Sequence, residues 1–462
     1  VVEDFMRPLV RLGAGHSLRE AAAAMSAAQQ SCAVVESPAG PAVVTDSDLR
    51  SAYGRGLLPD GLVASVANVP VRCVPRRTPV VQAFLAMVEH GVHHLVVTDD
   101  AGAPIGVVQA VDVALSEIRD PLLVRAAVGA ASDVGELATA SGLIPDTLQG
   151  LHGNAVAPIH IGAVLAALRE ALVLKALALS AGPSDARSVC WMVLGSLARG
   201  EPLPASDLDT ALVWQDDDGA VDRGPGLRRW ADEVLGIVER CGLVRCPDGA
   251  NATNPLLSRS RSAWERAATT WVSAPTGDVA LLLTAMLADS RPITEPALGR
   301  EVTQVMLAAI DRRRLLPMFL RLTVAARPPT GLLRTFVVEH SGDRRGHLDL
   351  KRIGLLPVVA LGRWVTVVTG DDRGGTVERL RRGAEHGVFT ADERDVLTAA
   401  FELFYGLLLD RELSALGSGQ PCTTDLAPAE LDSLTRRYLR DAFREVARVQ
   451  RRMEGEWLPR FE

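Results

Sequence analysis

Aromatic side chains are scarce, at 4% of 462 residues. Proteins that hold single-stranded nucleic acid stack bases on such rings, so this composition advertises no such platform. A basic excess is missing too. Lys and Arg number 49 against 56 Asp and Glu, a net charge of −7, which argues against a general nucleic-acid footprint. The cysteines, Cys32, Cys73, Cys190, Cys241, Cys246 and Cys422, contain no CxxC pair, and no histidine pattern completes a site around Cys241 and Cys246. Reduced, mostly buried thiols are therefore expected. No basic region leads into an apolar core near the N-terminus, as it would in a secretory signal. Ile161 to Ala181 is the most apolar long run, and Arg169, Glu170 and Lys175 interrupt it. It reads as a buried helix rather than a membrane span. A cytoplasmic protein without a membrane partner is the expectation.

What remains is an ordinary globular composition, 48% hydrophobic and 23% charged, on a chain long enough for three or four domains. The most informative stretch is Trp191 to Trp214, WMVLGSLARGEPLPASDLDTALVW. It reads as an apolar strand, a Gly195-Ser196 turn, a short helical segment and a second strand. On that strand Asp207 and Asp209, two apart, share a face. Adjacent carboxylates repel each other and resist desolvation unless a cation neutralises them. Mg²⁺ (or Mn²⁺) suits such a pair, with substrate phosphates completing its oxygen shell. Glycine at 195 allows close approach of the backbone to a phosphate. Backbone N–H groups opening the helical segment would face it.

The run Gly195-Ser196, Arg199-Gly200-Glu201, Pro204, Ser206-Asp207 and Asp209 resembles the signature of the nucleotidyltransferase superfamily, in the branch of the PII-uridylyltransferase type. The resemblance extends through Cys246-Pro247-Asp248-Gly249, Asn254-Pro255 and Asp289-Ser290-Arg291-Pro292 over most of residues 188 to 295, with Leu197-Ala198 departing from it. It implies that Asp207 and Asp209 hold the metal and that Gly195, Ser196, Arg199 and Ser206 receive the phosphates of an NTP. Arg199 has the multidentate guanidinium that phosphate recognition favours, although it equally suits an ion pair with Glu201 or Asp207. A third carboxylate is needed to activate the attacking hydroxyl or complete a second metal position. Asp289 is preferred over Asp248, which sits in a Pro-Asp-Gly turn; an ion pair with Arg291 is the competing role for Asp289.

Upstream, residues 1 to 118 contain an internal repeat. Each copy alternates strand and helix, with a turn of polar and small residues before its last strand: Ala42-Val43-Val44-Thr45 before Asp48 in the first, Ile105-Gly106-Val107-Val108 before Asp112 in the second. The repeat resembles a tandem pair of cystathionine-β-synthase-type (CBS) domains, modules that bind adenine nucleotides such as AMP or ATP. By that resemblance Thr45, Asp48 and Asp112 meet the ribose, since a carboxylate accepts from both hydroxyls. Asp48 would serve equally as a helix cap, and Gln109 replaces the hydroxyl expected in the second copy. His93 and His94 read as packing residues.

The expected architecture is α/β plus α. A tandem βαββα-type CBS module (1–118) leads through a helical connector (119–182) to a nucleotidyltransferase-fold α/β domain (183–300) and a C-terminal helical domain (301–462). Asp349-Leu350-Lys351 also resembles the family, with Lys351 read as a surface residue. No His-Asp pair of the hydrolase type follows. The resulting reading is a nucleotide-regulated, Mg-dependent nucleotidyltransferase. It would move NMP from an NTP to an acceptor hydroxyl, the acceptor being a PII-like signalling protein by resemblance. A non-catalytic adenine-nucleotide-sensing scaffold and a small-molecule nucleotidyltransferase are the alternatives. A homodimer is expected because CBS pairs commonly associate face to face.

Overall fold

The computed structural model describes residues 1–37, 40–110, 121–183, 185–216, 222–275, 277–328 and 347–461. The chain forms two compact units, Val1–Ala126 and Ala127–Glu462.

In the first unit the repeat is explicit. Strand β2 (Arg11–Gly13) runs parallel to β3 (Cys32–Ser37), which pairs antiparallel with β4 (Gly40–Thr45). The second copy repeats this order: β5 (Cys73–Pro75) is parallel to β6 (His94–Thr98), and β6 is antiparallel to β7 (Pro104–Gln109). The short β1 (Arg7–Pro8) joins the outer edge of β7. A crossover through a helix produces each parallel pair, α1 (Leu18–Ala27) in one copy and α3 (Val80–His90) in the other. Ser17 and Glu20 cap α1 reciprocally, while α3 stops at Gly91, whose φ of +63° makes a left-handed cap. Cys32 and Val34 of one copy pack on Val96 and Val107 of the other, so the two sheets share a dry seam. Helix α2 (Asp46–Gly54) follows β4. Asp112, its counterpart position in the second copy, lies outside the described residues.

The second unit is built on a sheet of order β10-β9-β8-β11. Strands β8 (Val189–Leu194) and β9 (Thr210–Trp214) are antiparallel and buried at every position, matching their unbroken apolar sequences. Strand β10 (Ser258–Ser260) extends β9 in parallel, and β11 (Ser290–Pro292) pairs antiparallel with β8. Helices Gly224–Arg240, Arg261–Ser273 and Pro296–Ala308 cover this sheet. The expected connector helix spans Pro158–Leu179 and packs on Gly224–Arg240 and on the long C-terminal helix Ala391–Ser418. Contacts gather connector, sheet and C-terminal helices into the one unit Ala127–Glu462.

A two-stranded ladder of β12 (Leu348–Asp349) and β13 (Asp425–Leu426) precedes a π-helical turn, Lys351–Leu355, that runs into helix Leu356–Thr369. Among the described residues Lys351–Thr369 is the one single helix long and apolar enough to cross a membrane, and 61% of that stretch is buried inside the protein. Val358, Leu361, Trp364 and Val365 are all fully enclosed, as in a core helix.

Candidate active site

The acidic pair sits just ahead of β9, a step earlier than a strand carrying both residues would put it. Leu208 between them is buried, so the flanking carboxylates point away from the core and remain half-exposed. The Leu208 N–H donates to the Val244 carbonyl at 2.7 Å, and the Cys246 N–H donates to the Leu208 carbonyl at 3.3 Å. This parallel pairing, Leu208 against Arg245, lays Cys246 alongside Asp209. Donor atoms of Asp207, Asp209 and Cys246 all lie within 4.8 Å of one another. The thiol was invisible as a site residue in the sequence, because only strand pairing brings it here.

Gly195 forms the opposite wall. Its φ is +61°, and a Cβ built on it would stand 2.7 Å from Asp209 Oδ2. Only glycine leaves that space open. The following helical stretch is a single turn, Gly195–Ala198, shorter than a phosphate-binding helix start requires. Ser196 is half-buried on this turn. Burial pushes the Asp209 carboxyl up; the Cys246 hydrogen bond opposes this, Asp207 adds to it, and Lys351 and Arg199 also oppose it. Burial, together with Asp209, pushes the Cys246 thiol up to about 12. The carboxylates, the thiol and the open space beside Gly195 fit a divalent cation.

The remaining predicted residues face elsewhere. Arg199 turns inward, with a side chain 6% exposed, and donates to Glu201 Oε2 at 3.0 Å and Asp289 Oδ2 at 2.6 Å. Asp289 also receives Arg363 and Arg379, and its side chain is fully buried. Burial alone would raise its carboxyl, but Arg199, Arg363 and Arg379 overturn that and hold it well below the usual range. Asp289 is thus the hub of an arginine cluster, and the third carboxylate sought in the sequence is not at this position beside the pair. Arg291 pairs instead with Glu170 at 2.6 Å. Asp248 is exposed in its turn. Ser206 Oγ accepts from the Leu203 N–H at 3.0 Å, bracing the loop rather than facing an opening.

Residues remote in sequence clamp the loop between Arg199 and Asp207. Arg169 donates to the carbonyls of Ser206, at 3.0 Å, and Pro204. Tyr405 Oη donates to the Pro202 carbonyl at 2.8 Å, and Glu412 accepts from the Ala205 N–H at 2.7 Å. Glu201 accepts from the Thr376 hydroxyl at 2.9 Å and from its backbone N–H. Burial pushes the carboxyls of Asp209 and Glu412 up, and Lys351, half-buried at the start of the π-helical turn, is near enough to oppose that rise in both. It lies closer to the acidic pair than a surface residue would.

The first unit has its own opening, of about 460 Å³. Thr45, Asp48, Asn68, Arg72, His93 and His94 line it. Thr45 is the N-cap of α2 and donates its hydroxyl to Asp48 Oδ2 at 2.6 Å, so Asp48, three residues on, completes a capping box and also lines the cavity. The histidines, read as packing residues, border the same space, with His94 Nε2 2.7 Å from Ser31 Oγ.

Three segments match known families. Residues 63–115, the second copy of the repeat, match the CBS domain. Residues 143–278 match "Putative nucleotidyltransferase DUF294", and residues 313–456 match "Putative nucleotidyltransferase substrate binding domain". The chain is thus similar to a CBS domain followed by the two parts of that putative nucleotidyltransferase type. No curated protein matches the chain. Similar solved structures include a CBS domain protein from Pyrobaculum aerophilum complexed with AMP, 29% identical over 24% of this chain and 88% of that one (TM-score 0.23). Another is the CBS domain of a bacterial CNNM/CorC family Mg²⁺ transporter in complex with ATP, 24% identical over 24% and 82% (TM-score 0.22). A CBS-domain protein from Agrobacterium tumefaciens is 22% identical over 24% and 89% (TM-score 0.23).

Proposed function

We propose that this chain is a cytoplasmic, nucleotide-regulated nucleotidyltransferase. The observation that carries the reading is the apposition of Asp207 and Asp209 across from Gly195, whose missing Cβ keeps the space beside Asp209 open. Asp207 and Asp209 would hold a divalent cation, which would supply Lewis acidity and charge neutralisation for the phosphates of an NTP. The Gly195-Ser196 turn admits the phosphates, and Lys351, from the segment matching a substrate binding domain, adds a positive charge beside them. An acceptor oxygen bonds to the α-phosphorus, the bond from that phosphorus to the oxygen bridging to the β-phosphate breaks, pyrophosphate leaves, and the acceptor hydroxyl's proton passes to solvent.

Asp289 and Arg199 support this chemistry as positioning residues. Their ion pair fixes the turn on which Gly195 and Ser196 stand, and the Gly195 N–H donates to the Asp289 carbonyl at 2.9 Å. The acceptor is a hydroxyl, on a PII-like protein by family resemblance. The cavity of the first unit is the regulatory position, with Thr45 and Asp48 facing the ribose of AMP or ATP, and the working form is a homodimer.

A second reading, a nucleotide-sensing scaffold without turnover, draws on one observation: Asp289 is committed to arginines, and the third group beside the pair is a thiol. Pyrophosphate release separates the two. The full chain with each of the four NTPs, a divalent ion and lysate as acceptor source is compared with Asp207→Ala/Asp209→Ala, with and without AMP and ATP. Release by the parent alone, favouring one NTP, establishes the transferase. Silence from both, with AMP still bound, leaves the scaffold.

A further inference from the structure

The acidic pair has a third donor that an Mg²⁺ site has no use for. Mg²⁺ takes oxygen ligands in near-octahedral geometry, whereas zinc and cobalt accept thiolate, imidazole and carboxylate together in tetrahedral sites. Cys246 is buried, and its sulfur belongs to a group of donor atoms, with one oxygen each from Asp207 and Asp209, all within 4.8 Å of one another. Two separate strand segments hold these donors in place through the Leu208–Arg245 bridge, so the thiol's position is set by backbone pairing rather than by a side-chain rotamer alone. Among the described residues neither aspartate forms an ion pair, although Arg199 stands nearby and spends its charge on Glu201 and Asp289. The pair is thereby left for a cation from solution, and Gly195 keeps one side of it clear.

We propose that Asp207, Asp209 and Cys246 form a mixed carboxylate–thiolate centre that takes a thiophilic divalent ion of the zinc or cobalt class in preference to Mg²⁺. The inference rests on the reading of the two aspartates as the metal pair and adds the third ligand and the choice of ion. On binding, the sulfur–metal bond forms and the thiol proton passes to solvent, with no change of oxidation state. A tetrahedral ion would keep one coordination position for a donor phosphate oxygen. The same chemistry makes the site sensitive to thiol reagents, which the aspartates alone would not be.

Co²⁺ titration of the full, chelator-treated chain tests this, because a cobalt–thiolate bond gives a near-ultraviolet charge-transfer band that carboxylate ligands do not. A Cys73→Ser/Cys422→Ser background removes the exposed and half-exposed thiols and is expected to keep the band. Cys246→Ser in that background is expected to lose the band while calorimetry still detects Co²⁺, roughly ten- to a hundredfold weaker, at least the loss caused by removing an outer-shell partner. Excess Mg²⁺ is expected not to displace Co²⁺ from the parent. Binding of Co²⁺ by the folded parent without the band, or a band that survives Cys246→Ser, overturns the inference and leaves the aspartate pair intact. If the parent takes up neither Co²⁺ nor Mg²⁺, the metal-pair reading itself falls.

Discussion

Tyr405 Oη donates a 2.8 Å hydrogen bond to the carbonyl of Pro202, tying the loop that leads into the acidic pair to the middle of the long C-terminal helix. The phenol is fully buried, and burial, with Glu201 and Glu412 adding to it, pushes it above its ordinary value, so it stays a donor at any working pH. Gly162 on the connector helix gives it room, since a Cβ there would collide with the phenol oxygen.

Tyr405→Phe removes the donor and leaves a buried carbonyl unpaired, which costs about 1–3 kcal/mol. Denaturant unfolding should show a lower midpoint, and pyrophosphate release should fall as the loop loses one of its anchors. Unchanged stability and turnover would mean that Arg169 and Glu412 hold the loop unaided.

Gly195→Ala forces a side chain into a left-handed backbone and against Asp209 Oδ2. A strain of about 1–3 kcal/mol is expected, together with loss of metal binding measured by calorimetry. Retention of normal metal affinity would show that Asp209 can turn away without cost.

Asp289 contributes to the acid sensitivity of this unit. Its folded carboxyl lies below the 3.8 of a free aspartate, because the three arginines outweigh its burial. The stabilisation it supplies is therefore complete above that value and is lost as pH falls through the lower folded value. Asp289→Asn strips one partner from a buried cluster, a loss of about 3–5 kcal/mol near neutral pH. The variant's stability should also change less with pH below 3.8 than the parent's. Parallel acid-unfolding curves for the two would contradict this.

Asp48→Ala should abolish AMP binding to the full chain, followed calorimetrically, and weaken the α2 cap by about 1 kcal/mol. Asp48→Asn preserves a capping oxygen but loses the charge and one acceptor oxygen, so the cap should survive better than the affinity. If AMP binds both variants as it binds the parent, the nucleotide lies elsewhere.

Local pattern made much of this legible. The apolar runs at β8 and β9 announce buried strands, and Asp207 and Asp209 at a spacing of two announce a shared face. The repeat is readable because both copies place an apolar hairpin after a helix. Contacts made across long sequence separations were not. Arg363 and Arg379 reach Asp289 from 74 and 90 residues downstream, and no periodicity in either helix singles them out. Cys246 looked like a spare buried thiol because its place beside Asp209 depends on the pairing of Leu208 with Arg245. Buried side chains such as Arg169 and Tyr405 reach one loop from helices far apart in the sequence, which no local pattern announces.

The span of the loop's anchors has a consequence during synthesis. The Ala205–Glu412 hydrogen bond joins residues 207 apart, and the bond from Tyr405 to Pro202 spans 203. When the acidic pair emerges from the ribosome, Arg169 has already been made, but Tyr405 and Glu412 have yet to be translated. A nascent or prematurely terminated chain would therefore lack two of the loop's anchors, which arrive only with the helix Ala391–Ser418.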